Sequence, residues 1–272
     1  MSNKVAAIDT SGANYAKKGH EYDPYLRAFL EGVPEEVLES TWEDEENNDS
    51  ILVIRGLGGG SQKAIKQCWK TGREFYAIDT GYFGNHIKHK RWHRITKNAV
   101  QNMGPIIDRP TDRLDNLGYK FKPFYSGKKI LICPPSDKVM NLFGQGTAQE
   151  WTNNIVKQIK ELTDRPIELR MKPIRAERVT TNTIQDALAD DVHCLVTYNS
   201  IAATEALMEG RAAITLGPNA AEMICETDLN NIENPKIPSK DEMIAFMAHL
   251  SYAQFSEPEM RSGYAWRILN AV

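Results

Sequence analysis

Short apolar runs of four or five residues alternate along this chain with longer stretches in which apolar positions recur every three or four residues. That is the pattern of strands feeding helices in an α/β fold with parallel sheets. The runs Val5 to Ile8, Ile51 to Ile54, Phe75 to Ile78, Ile130 to Cys133, Ile167 to Met171, Cys194 to Thr197 and Ala213 to Leu216 predict strands. Between them, Trp151, Ile155, Ile159 and Leu162 fall on one stripe of a helix expected from Thr147 to Leu162. The segment Asp112 to Lys129, with Gly118, Pro123 and Gly127, separates three strand-led units from four more. It divides the chain into expected domains 1–125 and 126–272, the second closing with helices. Two such halves predict two Rossmann-like domains facing a cleft, with ligands beyond the carboxyl ends of the strands. The polar residues just after each strand are therefore the candidates for chemistry.

Composition narrows the class. The 272 residues are 41% hydrophobic and 25% charged, as expected for a globular protein with a sizeable core. No stretch approaches the ~18 uncharged apolar residues of a membrane span, and Met1-Ser2-Asn3-Lys4 leads directly into the first strand. A cytoplasmic protein without a membrane partner, and a monomer, is expected. Cys68, Cys133, Cys194 and Cys225 are far apart and form neither a disulfide framework nor a metal knuckle, so no metal is expected.

Charge is unevenly spread although the net is only -3. Eight acids and no Lys or Arg lie between Glu35 and Asp49, whereas Gly84 to Lys129 holds eleven Lys or Arg against three Asp. An acidic segment and a basic patch are thus expected on one molecule.

The sharpest chemical signal is in the second half. A strand to Thr197 is followed by Tyr198-Asn199-Ser200, a small-residue helix to Gly210, and a second strand ending at Gly217-Pro218-Asn219. A small polar residue opening a helix offers N–H groups, a hydroxyl and a positive dipole end to a phosphate, and equally is a simple N-cap.

The run Thr197 to Gly217, with Ser200, Glu205, Ala206 and Gly210 in order, resembles the nucleotide-sugar half of GT-B glycosyltransferases. Its nearest likeness is to the bacterial capsule-polysaccharide transferases of the Kdo-transferase type. Arg55-Gly56-Leu57-Gly58, then Ser61-Gln62-Lys63-Ala64, Gly72 and Ile78-Asp79-Thr80-Gly81-Tyr82-Phe83 resemble the corresponding series of that family. Arg170-Met171-Lys172-Pro173 resembles its Lys-Pro-His, with Ile174 in place of the His. The chain as a whole is similar to small bacteriophage glycosyltransferases, some of which modify hydroxymethylated pyrimidines in DNA.

The resemblance implies a GT-B, metal-independent transferase with a UDP-sugar as donor substrate and no bound cofactor. It assigns the diphosphate cradle to Asn199, Ser200, Arg170 and Lys172, with Arg175 as a further cation and Glu205 on the ribose or as a structural cap. Asp79 becomes the first candidate for the catalytic carboxylate and Asp9, also after a strand, the competing one. Gly58, Gly59, Arg55 and Gln62 are expected to line the acceptor side. The basic window 86–97 places Lys88, Lys90, Arg91, Arg94 and Lys97 on duplex DNA phosphates and Trp92 against a base, or else is a solvated basic helix.

The leading expectation is transfer of a hexose, glucose from UDP-glucose, to hydroxymethylpyrimidine in phage DNA, in the host cytoplasm. The alternatives are a surface-polysaccharide transferase using a UDP- or CMP-sugar, a nucleotide-sugar epimerase, and a non-catalytic nucleic-acid-binding protein on the same fold.

Overall fold

The computed structural model describes residues 4–8, 23–40, 49–84, 92–172 and 183–271. It is a mixed α/β protein with two sheets, each in its own compact unit. The first unit comprises residues 4–81, 92–100 and 252–271; the second comprises residues 82–84 and 101–251.

In the first unit, β1 (Val5–Ile8), β2 (Val37–Ser40), β3 (Ile51–Arg55) and β4 (Phe75–Thr80) are parallel. β5 (His93–Lys97) runs antiparallel to β4, and β10 (Gln254–Phe255) antiparallel to β5, giving the order β10-β5-β4-β3-β1-β2. Leu52, Val53 and Ile54 are all buried, as in a strand covered on both faces. One cover is α1 (Pro24–Glu31), started by Asp23, whose Oδ1 accepts from the Tyr25 and Leu26 amides. Another is α2 (Gly59–Thr71), which follows β3.

Only three of these strands were legible as apolar runs; β2, β5 and β10 were not. The expected division near residue 125 also differs from the observed one, because apolar residues of the tail belong to the first core. Phe255, Met260 and Trp266 bury there with Phe29, Tyr76 and Ile78, and the Trp266 ring lies 5.0 Å from that of Tyr76. The tail helices α9 (Glu257–Arg261) and α10 (Tyr264–Asn270) end where Asn270 Oδ1 accepts from the Tyr76 hydroxyl at 2.7 Å. The loop before residue 129 belongs instead to the second unit: the amides of Tyr125 and Gly127 donate to the carbonyls of Gly210 and Val192.

Gly32, at the end of α1, shows how closely the tail returns. A Cβ there would collide with the Met260 carbonyl and the Gly263 backbone. Gly32→Ala is therefore expected to cost about 1–3 kcal/mol by overpacking, read as a lower denaturation midpoint with an unchanged slope.

The second unit holds β6 (Lys129–Cys133), β7 (Ile167–Leu169), β8 (Val192–Thr197) and β9 (Ala212–Thr215), all parallel in the order β7-β6-β8-β9. All of β8 is buried. α3 (Asp112–Asn116), α4 (Asp137–Phe143), α5 (Ala148–Leu162), α6 (Ile184–Ala189), α7 (Ala202–Met208) and α8 (Lys240–Ser251) complete its regular helices among the described residues. α5 begins as the sequence predicts: Thr147 and Glu150 form a reciprocal capping box, and Ile155 and Ile159 are buried on the stripe. Among the described residues no helix is long and apolar enough to cross a membrane.

Candidate functional site

The strand order fixes where a ligand can enter the second unit. The chain leaves β6 toward β7 on one side and returns to β8 on the other, so the crevice opens beyond the carboxyl ends of β6 and β8. Tyr198, Asn199 and Ser200 stand at that point. Thr197 closes the strand ends by donating its hydroxyl to the Cys133 carbonyl at 2.8 Å.

Two loops form the rim and brace one another. Asn199 Nδ2 donates to the Pro218 carbonyl at 2.7 Å, and Asn219 Nδ2 donates to the Ser200 carbonyl at 3.0 Å. Gly217 allows the approach, since a Cβ there would strike the Tyr198 ring. Ser200 Oγ accepts from the Ala202 amide at 3.2 Å while the half-buried hydroxyl keeps its own hydrogen to donate. Asn219 and its bracing role were not singled out from the sequence; a second asparagine after the next strand was the available signal.

The structure brings Arg170 and Lys172 within electrostatic reach of Glu205. Glu205 is half-buried on α7, and burial pushes its carboxyl up to about 7 against the charges of Arg170 and Lys172 and a hydrogen bond from Gln185, with Glu209 adding to the rise. Arg170 and Lys172 lie just past the end of β7, and the Arg170 amide donates to the Ile132 carbonyl at 2.9 Å. Gln185 was missed because it lies on another helix, α6. Arg175 lies outside the described residues.

In the first unit the candidate carboxylate belongs, among the described residues, to a network with Asp23, Arg55 and Arg94. Asp79 is near the end of β4 and Arg55 ends the neighbouring β3, in register with Ile78. Arg55 Nη1 donates to the Ile78 carbonyl at 3.0 Å and lies 3.7 Å from Asp79 Oδ1; its Nε lies 3.3 Å from Asp23 Oδ2. Arg94, on β5, donates through Nη2 to Asp79 Oδ2 at 3.0 Å, through Nη1 to the Thr80 carbonyl at 2.7 Å and through Nε to the Val100 carbonyl at 3.3 Å. The Thr80 amide donates to Asp79 Oδ1 at 2.7 Å.

Side-chain exposure singles out one member of this network. Asp79 is 32% exposed, against 16% for Arg55, 7% for Arg94 and 3% for Asp23. Buried Asp23 and Arg94 and half-buried Arg55 thus orient the more exposed Asp79 carboxyl. Gly81 follows it for closeness and not for a left-handed turn: its φ is not positive, its amide donates to the Trp92 carbonyl, and a Cβ would meet the Trp92 backbone at 2.8 Å.

The remaining sequence candidates are placed as follows. Gly58 caps α2, Gly59 opens it, and Gln62 Nε2 donates to the Leu57 carbonyl within the same loop at 3.0 Å. Residues 93–97 form a strand and not a basic helix, which buries Arg94 against Asp79. Lys97 pairs with Glu74 at 3.1 Å and bonds Asn270. Trp92 is half-buried beside Gly81. Lys88, Lys90, Arg91 and Asp9 lie outside the described residues. Among the described residues no cluster of three His, Cys, Asp or Glu could hold a metal ion.

The chain is thus a mixed α/β protein with parallel strands in both sheets and polar loops after the carboxyl ends of β6, β8 and β9 in the second. No family model matches the chain, and no curated protein matches it. Its fold is similar to that of KpsC from Thermosulfurimonas dismutans in two solved structures. The beta Kdo 2,4 transferase matches with a TM-score of 0.53 and 13% identity over 92% of this chain and 90% of that one. The beta Kdo 2,7 transferase matches with a TM-score of 0.51 and 13% identity over 98% and 99%.

Proposed function

We propose that this chain is a glycosyltransferase of the GT-B type that takes a pyrimidine-nucleotide sugar and delivers the sugar to a hydroxyl of a saccharide acceptor. The observation that carries the reading is the likeness of its fold, across nine-tenths or more of both chains, to two Kdo transferases. The loops fit that chemistry. A leaving nucleotide phosphate needs donors and cations, which the Ser200 hydroxyl, Arg170 and Lys172 supply at the carboxyl rim of the second unit. An oriented carboxylate is needed at the reacting carbon or acceptor hydroxyl, and Asp79 supplies it.

A saccharide acceptor is preferred to DNA because two cations of the basic window, Arg94 and Lys97, are already matched to Asp79 and Glu74. Phosphate binding would have to compete with those pairs.

The test begins with binding. CMP, UDP or the matching nucleotide sugar, at about 100-fold over its Kd, is expected to raise stability by roughly 2.7 kcal/mol, seen as a higher melting temperature. The protein is then incubated with CMP-Kdo or UDP-glucose and either oligosaccharides or hydroxymethylated duplex DNA, and the products are weighed. A sugar mass on the oligosaccharide supports the proposal, and a sugar on DNA restores the DNA acceptor. If no nucleotide binds and no donor is consumed, the transferase reading fails.

A further inference from the structure

Resting on the transferase reading, we infer that Gln101 is a positioning residue that couples nucleotide binding at the Asn199–Ser200 loop to the setting of the Asp79 carboxylate. The chain passes from the first unit to the second between Gly81 and Tyr82, and again between Val100 and Gln101. At the second passage Val100, before the junction, is linked to Asp79 through Arg94, and after the two junctions Tyr82 and Gln101 bond Asn102 and Asn199 of the second unit.

On the first side, Arg94 holds Asp79 Oδ2 at 3.0 Å and the Val100 carbonyl at 3.3 Å with one guanidinium. On the second side, the amide of Asn102 donates to the hydroxyl of the fully buried Tyr82 at 2.7 Å. Gln101, between these ties, donates its side-chain Nε2 to the Asn199 carbonyl at 2.9 Å, across 98 residues of sequence. A closed ring results: Asp79 along the chain to Tyr82, across to Asn102, back through Gln101 to Val100, and through Arg94 to Asp79. Every non-covalent link in it lies within one unit. The ring is hooked to the rim loop at Asn199 by Gln101 alone among its described bonds.

The choice of side chain points the same way. Gln101 is 2% exposed, and its Oε1 is buried with no hydrogen-bond partner among the described residues. An orphaned acceptor is costly, whereas an apolar side chain of equal length would fill the space without that cost. The amide is therefore there for the bond it donates. A nucleotide that shifts or stiffens residues 199–200 pulls on the Gln101 side chain, hence on the Val100 peptide, hence on the guanidinium that sets Asp79. A rigid guanidinium fork transmits such a displacement in a defined direction.

The experiment is hydrogen exchange on the whole protein with and without saturating CMP or UDP, using Gln101→Met, which keeps length and removes both polar atoms. In wild type, nucleotide is expected to slow exchange in residues 92–100 as well as around 199–200. In Gln101→Met, nucleotide still binds within a few-fold and slows exchange at 199–200, but the slowing at 92–100 is lost. Donor turnover by this variant, counted per nucleotide-binding site so that an unfolded fraction does not enter, falls in kcat with little change in KM. Should Gln101→Met not fold, Gln101→Leu, which is smaller and equally unable to donate, is expected to lose the same coupling. Slowing at 92–100 that is absent in wild type, or undiminished in the variant, overturns the coupling and leaves the transferase reading standing. Failure of wild type to bind any nucleotide overturns both.

Discussion

Replacing Asp79 with Asn is expected to lower sugar transfer by about 100-fold or more while the protein still folds and still binds nucleotide. The amide keeps the size of the carboxylate and its Oδ1 can still accept from the Thr80 amide. What it removes is the negative charge, and it sets an NH2 or a neutral oxygen before the Arg94 guanidinium 3.0 Å away. Among the described bonds, Arg55 then keeps Asp23, and Arg94 keeps the Thr80 and Val100 carbonyls. Because Asp79 is a third exposed and water can partly replace it, the loss of stability should stay near 1–3 kcal/mol. The comparison that separates the two effects is kcat against melting temperature. Arg55→Lys and Asp23→Asn should lose similar stability with a smaller loss of kcat, because they hold the carboxylate without presenting it. Transfer by Asp79→Asn within a few-fold of wild type would move the role to another acid, Asp9 first.

How much of this was legible depended on whether the partner of each residue was local. The buried parallel strands were readable because both faces of β3 and β8 are covered, which leaves continuous apolar runs. The helix from Thr147 was readable because its cap and its stripe are both within one segment. β5 was not: His93-Arg94-Ile95-Thr96-Lys97 looks like a solvated cationic window until Asp79 and Glu74 are brought beside it from β4 and the residue preceding it. A charge has no fixed side of the protein in sequence, since its burial depends on a partner the sequence does not place near it. β10 is two residues long and exists only because β5 offers an edge, so no pattern could announce it.

The candidate site divides in the same way. Asp79, Ser200 and Asn199 are nominated by the rule that polar residues after strands face the crevice. Asp23, Asn219, Gln185 and Gln101 act by bonding residues distant in the chain, and each is of a type common on any surface. The expected domain limits rest on a Gly- and Pro-bearing loop, which marks a place where a chain can turn, whereas the contact-defined units follow which core the flanking apolar residues enter. Phe255 and Trp266 enter the first.

The second large effect is a pH dependence carried by Glu205. Burial raises its carboxyl from the ordinary glutamate value of 4.5 to about 7, so between those values the folded protein holds a proton that the unfolded chain has released. Its contribution is then fully present below about pH 4.5, declines as pH rises toward 7 and is flat above it. Once partial exposure to water is allowed for, the decline is about 2–3 kcal/mol. Glu205→Gln, always neutral, should lack it, so the variant gains on wild type between pH 5 and pH 8 in denaturant midpoints. Nucleotide binding should run the other way. If the carboxylate accepts hydrogen bonds from ribose hydroxyls, only the ionised form serves, and its population rises about tenfold between pH 6 and pH 8. Wild-type affinity for a nucleotide should rise by the same factor over that interval. The ligand's own phosphate titrates near pH 6, and the Gln variant, which shares that titration, removes it from the comparison. A Glu205 that merely caps the loop before β9 would give the stability curve without the difference in binding. Equal pH profiles of affinity in wild type and Glu205→Gln would therefore remove Glu205 from the nucleotide site while leaving its buried proton in place.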